Sequence, residues 1–544
     1  MSRHGFLHGA MVLALAGVLS RILGVFYVIV LPRVLQSEGY GLYTAVKPVY
    51  HTMLILAIAG LPVAIAKLVA DRYAVGDLRG LQHVFTLSVK AMAVTGLFAG
   101  VTLAVAAEPL ARILRVPEAA PLLRVVAPAA LIMALTSALR GCFQGLQRMM
   151  PIALSQIAEQ IVRVVSTICL AVALAPLGQV YGAAGAMLGG VLGGAGALLI
   201  LCFTWLWQRR RIQAELAQRA RKKAVRAGGG TLRQLLSLAL PLVLGQILWP
   251  IIEFLDTTLV PQQLMTLGFS RAEAMAQLGY LGMAGQLMWL PTILTLALAA
   301  SLMPAVAKAW ALRQVRQVRR LTHEALRVAI LFGLPAGMGL FVLADGCAWL
   351  LFGFSEAGAP LAVLAFGTLM LGIQQVTAGT LQGLGKVHVP IMNLLLGAAI
   401  KFGMNWWLVA TPWGSQGAAG GTLVGFTTAA CLNYLAIRRI VGASGGLRAW
   451  LFKPVTATLI MGAVVRLTYA GLLLALETAV LRRHWALTPF TVNAAATLAA
   501  IAVGVLTYGL ALLRLGGLRR KDIDAIPLIG ARLNYRLARL GWVA

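Results

Sequence analysis

The chain is poor in acid. Its 544 residues include only 16 Asp and Glu against 46 Lys and Arg, and all charged residues together make up 11% of the sequence. A soluble domain carries about 25% charged residues, so a water-facing surface of ordinary composition is excluded. Cysteine is scarce as well. Cys142, Cys169, Cys202, Cys347 and Cys431 fall in or beside apolar runs without C-x-x-C or other metal-type spacing, and they read as small packing residues. The 7 histidines are scattered, so neither residue type gives a metal site or a resident cofactor. No catalytic constellation of carboxylates or histidines gathers in a connecting segment.

What is abundant is hydrocarbon. Hydrophobic residues make up 60% of the chain and the mean hydropathy is +0.86. A helix crosses a bilayer with ~20 apolar residues. On that basis spans are expected near 9–31, 44–66, 84–106, 121–143, 152–175, 184–207, 234–256, 280–303, 322–344, 359–381, 391–411, 415–437, 453–476 and 488–513. The first run exceeds the ~7–15-residue core of a secretory signal and no small-residue cleavage site follows it, so it is expected to remain as the first helix. Hydropathy therefore predicts an all-α polytopic membrane protein of about 14 transmembrane helices.

The net charge of +30 follows the same topology. Basic residues crowd alternate connections and the C-terminal tail, and are sparse in the others, the pattern of a positive-inside protein. Both termini are expected in the cytoplasm of a bacterial plasma membrane. The densest run, Gln208 to Arg226, reads as a solvated linker against anionic lipid. A docking site for an acidic protein is the lesser reading. No aromatic-interleaved basic patch points to nucleic acid.

The chain also repeats itself. Gln144-Gly145-Leu146 recurs as Gln382-Gly383-Leu384, Ala107-Glu108 as Ala344-Asp345, and Ala120-Pro121 as Ala359-Pro360. The segment from Gly182 to Gly185 resembles that from Gly417 to Gly420, and Pro62 with Lys67 resembles Pro304 with Lys308. Five matches in one order at a separation near 238 residues predict two six-span copies, parallel because six is even, around a central cavity. The expected organisation is an N-terminal lobe at 1–207, a basic cytoplasmic linker at 208–233 and a C-terminal lobe at 234–440. Two extra helices at 441–513 and a basic amphipathic tail at 514–544 complete it.

Charges inside the bilayer cost ~2.5–3.5 kcal/mol each on insertion scales and usually face a cavity or a partner. Arg21 sits in mid-span with Gly17 and Gly24 on its face, placed either to clamp a diphosphate or to pair with another helix, Glu159 included. Lys47, flanked by Tyr43 and Tyr50 and followed by Pro48, is a second candidate or a snorkelling residue. Glu159 and Arg163 are spaced i, i+4 and can pair within one helix. Alternatively, Arg163 is shared with substrate while Glu159 tunes it. Gln246, Trp249, Glu253 and Asp256 share one face of the seventh span, and Asn393, Lys401 and Asn405 share one arc of the eleventh. Lys401 can pair with Glu253 or Asp256. The oxygen ligands Asp256, Asn393 and Asn405 make a candidate site for Na+ or H+ as coupling ion, although Asp256, at the end of its expected span, can instead cap a helix. Arg466 lies mid-membrane in the thirteenth span, placed for a substrate phosphate or for a carbonyl or water.

The segments FLHGAMVLALAGVLSRILG and SEGYGLYTAVKPVYHTMLILAIAGLPVAIAKLVADRYAVGD resemble the Firmicutes-type lipid II flippase and stage V sporulation protein B family. These are MurJ-like proteins of the superfamily that also holds the MATE drug exporters. LDTTLVPQQL and RRKDIDAIPLIGARL extend the resemblance over essentially the whole chain. It implies two six-helix lobes with a cationic central cavity, two extra helices bordering a groove for a lipid tail beside Arg466, and a sodium site among spans 7, 11 and 12. It implies transport of an undecaprenyl-diphosphate-linked sugar, most readily lipid II, in peptidoglycan synthesis, with cell-wall synthesis proteins as partners. In the resembled pattern an arginine often follows S-R-x-L-G; here Phe26-Tyr27-Val28 offers none, and Lys47 is the candidate replacement. The alternatives are a MATE-like cation-coupled drug exporter, which would favour an acidic N-terminal cavity, and a membrane polysaccharide polymerase or glycosyltransferase. The last would need catalytic residues in large outer loops. The longest outer loop expected, 257–279, is short.

Overall fold

The computed structural model describes residues 3–58, 60–220, 232–442, 447–483 and 488–517, and these are helical with no β-strand among them. Long apolar runs leave the backbone no solvent partner in a bilayer, and a helix satisfies each amide within its own segment. Eleven helical segments are long and apolar enough to cross a membrane among the described residues. The expected fourteen differ from these in three places.

The first two expected spans meet without a loop. Helix α1 (Arg3–Ile58) is two helices joined at a kink at Gln36, where φ is 59° and ψ 177°, so the expected outer loop at 32–43 reduces to that kink. The Gln36 amide folds back to donate to the Arg33 carbonyl at 3.0 Å, replacing a bond lost at the break. Helix α2 (Leu61–Val75) follows Gly60, whose φ of 64° suits glycine alone without strain.

Helices α3 (Leu78–Val105), α4 (Ala107–Leu114), α5 (Ala119–Gly145), α6 (Met149–Leu174) and α7 (Gln179–Ala220) complete the first copy. Helix α8 (Leu232–Thr266) is the second case: it runs ten residues beyond Asp256 and leaves Asp256 interior to a helix rather than capping one. Helix α9 (Arg271–Trp289) starts well before the expected eighth span, so the long outer loop at 257–279 reduces to Leu267–Ser270. Pro291 separates it from α10 (Thr292–Ala311), so that span is broken in two.

Helices α11 (Val315–Val342), α12 (Ala344–Phe352), α13 (Gly358–Gly383), α14 (His388–Leu408) and α15 (Gly414–Val441) complete the second copy. The third case is α14, in which Asn393, Lys401 and Asn405 interrupt the apolar run. Helices α16 (Leu447–Arg483) and α17 (Pro489–Arg514) are the two extra helices.

The chain forms two compact units, Met1–Gly279 and Tyr280–Ala544. Their division differs from that of the sequence copies, because α8, which opens the second copy, packs on α1 and α2 of the first unit. The first core gathers Leu61, Ile65, Val69, Leu81 and Met92, and the second gathers Val306, Val318, Leu326, Val376 and Leu381.

The repeat is visible in the helix crossings themselves. In the first unit a Cβ on Gly141 would meet the Pro62 carbonyl oxygen, and one on Gly145 that of Ala66. In the second unit Gly379 stands in the same way against Ala299, and Gly383 against Met303. This register pairs Pro62 with Ala299, so the sequence match of Pro62 and Lys67 with Pro304 and Lys308 is displaced from it. A second register governs α7 and α15. Gly185, Gly189 and Gly193 abut Leu170, Thr167 and Arg163, while Gly417, Gly421 and Gly425 abut Leu408, Asn405 and Lys401. Gly185 therefore corresponds to Gly417, not to Gly420, because fewer residues separate Leu408 from Gly417 than separate Leu170 from Gly185. Close backbone approach replaces hydrophobic driving force between helices in lipid, and glycine is what permits it.

Candidate functional site

The first unit buries a cluster of ionised side chains between α5 and α6. Glu159 is buried. One of its oxygens accepts from Arg163, one turn along α6, as the i, i+4 spacing predicts. The other accepts from Arg140 Nη2 of α5 at 2.9 Å. Arg140 Nε donates to Ser155 Oγ at 3.1 Å, and that hydroxyl donates to the Ile152 carbonyl at 2.7 Å. Two guanidinium groups thus share one carboxylate, leaving one positive charge in excess. Arg163 Nε is buried and has no hydrogen-bond partner. The pairing of Glu159 with Arg163 was legible in the sequence. Arg140 was missed, since nothing local marks a partner nineteen residues away on another helix.

Aromatic hydroxyls surround Arg163. Tyr27, Tyr43 and Tyr50 of α1 all lie within electrostatic reach of it, and Tyr40 stacks on Tyr43 at a centroid distance of 5.8 Å. Lys47 stands one turn before His51, whose other charged neighbours include Arg163 and Glu253. Glu253 accepts from Trp249 Nε1 at 3.0 Å. The structure therefore draws Lys47, Arg163, Glu159 and Glu253 into one region of the first unit, with Asp256 further along α8. Arg21 belongs to α1, where Ser20 Oγ donates to the Gln156 carbonyl of α6 at 3.4 Å and Gly24 faces the Gln160 side chain. The Arg21 side chain lies outside the described residues, as does the tail beyond residue 517.

The remaining candidates fall in the second unit. Lys401 and Asn405 are buried on α14 under Gly425 and Gly421. Lys401 holds there the position that Arg163 holds in the first unit: each places its Cβ against a glycine of the following helix, Gly425 and Gly193. Asn393 donates from Nδ2 to Asn433 Oδ1 at 2.9 Å. Asn393 and Asn405 stand twelve residues apart on one unbroken helix, hence ~18 Å apart along its axis, and cannot share one cation. Arg466 is exposed on α16. One turn on, Tyr469 donates to Asn493 Oδ1 at 2.8 Å, tying α16 to α17. Among the described residues no three His, Cys, Asp or Glu side chains are grouped to hold a metal.

The relatives and structural neighbours of this all-helical multi-pass chain are membrane transporters and flippases, not enzymes. The family model described as polysaccharide biosynthesis protein matches residues 6–310, and that described as MatE matches 241–407. The chain is 30% identical to stage V sporulation protein B of Bacillus subtilis over 82% of this chain and 86% of that protein. It is 25% identical to lipid II flippase MurJ of Bacillus subtilis over 84% of this chain and 87% of that protein. The solved structure of lipid II flippase MurJ in its inward closed conformation superposes with a TM-score of 0.60 at 15% identity, covering 92% of this chain and 98% of that one. The chain belongs to the polysaccharide biosynthesis protein family and has the MurJ-like fold.

Proposed function

We propose that the protein is a flippase for an undecaprenyl-diphosphate-linked sugar, lipid II foremost. It carries this lipid from the inner to the outer leaflet of the bacterial plasma membrane by alternating access, with both termini cytoplasmic and with Na+, H+ or the membrane potential as the driving force. The observation that carries the reading is the excess of buried cation in the first unit, where Arg140 and Arg163 share Glu159 alone. A diphosphate brings the missing negative charge, and guanidinium forks match phosphate oxygens bidentately. Arg163 and Arg21 are the proposed headgroup ligands, with Lys47 beside them. Glu159 holds Arg163 in place between turnovers. Arg466 is proposed to meet the substrate from the extra helices, and Lys401 to set the charge of the second lobe.

The MatE match keeps a cation-coupled drug exporter as a second reading, but a surplus of buried arginine repels a cationic drug. The test is lipid II exposure at the outer face of cells depleted of their own flippase. Wild type should restore it, and Arg163→Ala and Arg21→Ala, at matched membrane levels, should not. Full restoration by both variants would remove the arginines from the substrate site. Failure of the wild type, with drug resistance gained, would overturn the flippase reading.

A further inference from the structure

A second basic site lies in the second unit, away from the charge cluster. Helices α11 and α15 each turn one stripe at i, i+3, i+4, i+7 toward a common narrow cavity. Helix α11 contributes Arg319, Thr322, His323 and Leu326, and α15 contributes Tyr434, Ile437, Arg438 and Val441.

The cavity holds two arginines and no acid. Arg319 is fixed as a fork. Its Nε and Nη2 donate to the Val441 carbonyl at 3.1 and 2.5 Å, closing the C-terminal end of α15, and Nη1 keeps no protein partner among the described residues. Arg438 is exposed and makes no ion pair among them. Glu324, the nearest acid in sequence to Arg319, is engaged with Arg320 at 2.9 Å. The lining passes from these cations and the Tyr434 hydroxyl inward to Leu326 and Ile437, which are buried in the core of the unit. Arg313, Arg316, Arg320 and Arg439 crowd the same helix ends, where a bilayer places its headgroups.

We propose that the arginine-lined mouth of this cavity binds the phosphate of an anionic phospholipid, with Arg438 and Arg319 Nη1 on the phosphate oxygens. Guanidinium pairs with phosphate by charge-assisted hydrogen bonds, and basic pockets between spanning helices are suited to lipid headgroups. The position at arginine-crowded helix ends favours a lipid headgroup over free phosphate. The site is independent of what the protein transports.

The test uses the purified full-length chain, delipidated in neutral detergent, with native mass spectrometry to count retained lipid. The probes are phosphatidylglycerol, phosphatidylcholine of the same acyl chains, and inorganic phosphate. The wild type should retain phosphatidylglycerol and not phosphatidylcholine, and inorganic phosphate at equal concentration should not displace it. Arg438→Gln should weaken retention about tenfold, on the scale of one charge-assisted contact, and Arg438→Lys should recover part of it. Arg439→Gln, outside the lining, should retain lipid as the wild type does. Equal retention of phosphatidylcholine, displacement by inorganic phosphate, or an equal loss in Arg439→Gln would each overturn the proposal. Because Arg438 is exposed and unpaired with acid, its replacement leaves the helix packing intact, and an unchanged Tm verifies that.

Discussion

Gly193 of α7 lies directly over Arg163 of α6. A Cβ built on the glycine would stand 2.7 Å from the arginine Cβ. A close approach of these two helices is therefore made at the position of an ion-paired charge, one turn from the tighter contact of Gly189 with Thr167. Exclusion of side-chain volume on α7 is what gives the guanidinium its place beside Glu159.

Gly193→Ala should accordingly destabilise the protein by ~1–3 kcal/mol, the range for overpacking a close contact. Gly17→Ala should not, because nothing lies within 4 Å of a Cβ at Gly17 and alanine is the better helix former. Thermal unfolding in detergent separates the two. Equal effects would show that the glycine at 193 is not a packing requirement.

Glu159→Ala removes the carboxylate that Arg140 and Arg163 share. Breaking a buried pair costs ~3–5 kcal/mol. The arginine side chains retain 19% and 28% exposure, which places the expected loss near the lower end. Arg140→Ala combined with Glu159→Ala should cost less than the two single changes added, with a coupling of ~0.5–3 kcal/mol. Strict additivity in the cycle would contradict the contact.

Asn433 is fully buried and accepts from Asn393. Asn393→Ala strips a buried amide of its partner and should cost ~1–3 kcal/mol in stability. Any sodium dependence of transport should be unchanged, since Asn393 is spent on Asn433 and lies ~18 Å along α14 from Asn405. A raised sodium requirement in Asn393→Ala would restore Asn393 as an ion ligand.

At the start of α9, Ser270 and Glu273 form a reciprocal cap. The Ser270 amide donates to Glu273 Oε2 at 2.8 Å and the Glu273 amide to Ser270 Oγ at 3.3 Å. Hydrogen bonds from the Ser270 side chain and backbone hold the Glu273 carboxyl below the usual carboxylate range. A carboxyl so lowered stabilises the fold above its unfolded pKa, and the gain is lost as pH falls through the folded one. The Tm advantage of wild type over Glu273→Gln should be present near neutrality and vanish as pH falls below about 4. An advantage that persists in acid would mean that the ionised cap is not its source.

The sequence alone determined the helical class, the spans and the existence of a repeat, because each rests on local hydropathy or on residues recurring along one chain. It also determined the Glu159–Arg163 pair, since helix geometry brings i and i+4 together without help from elsewhere. Only tertiary structure decided the rest. The register of the repeat depends on which glycine meets which neighbour across a crossing, and the shorter run of chain from Leu408 to Gly417 than from Leu170 to Gly185 conceals that from a constant offset. The break at Gln36 and the continuation of α8 past Asp256 depend on packing that polar composition does not announce. Arg140 reaches Glu159 from another helix, and Asn433 takes Asn393 out of a candidate ion site. Both are contacts between helices, and the distance between two helices is not a property of either one.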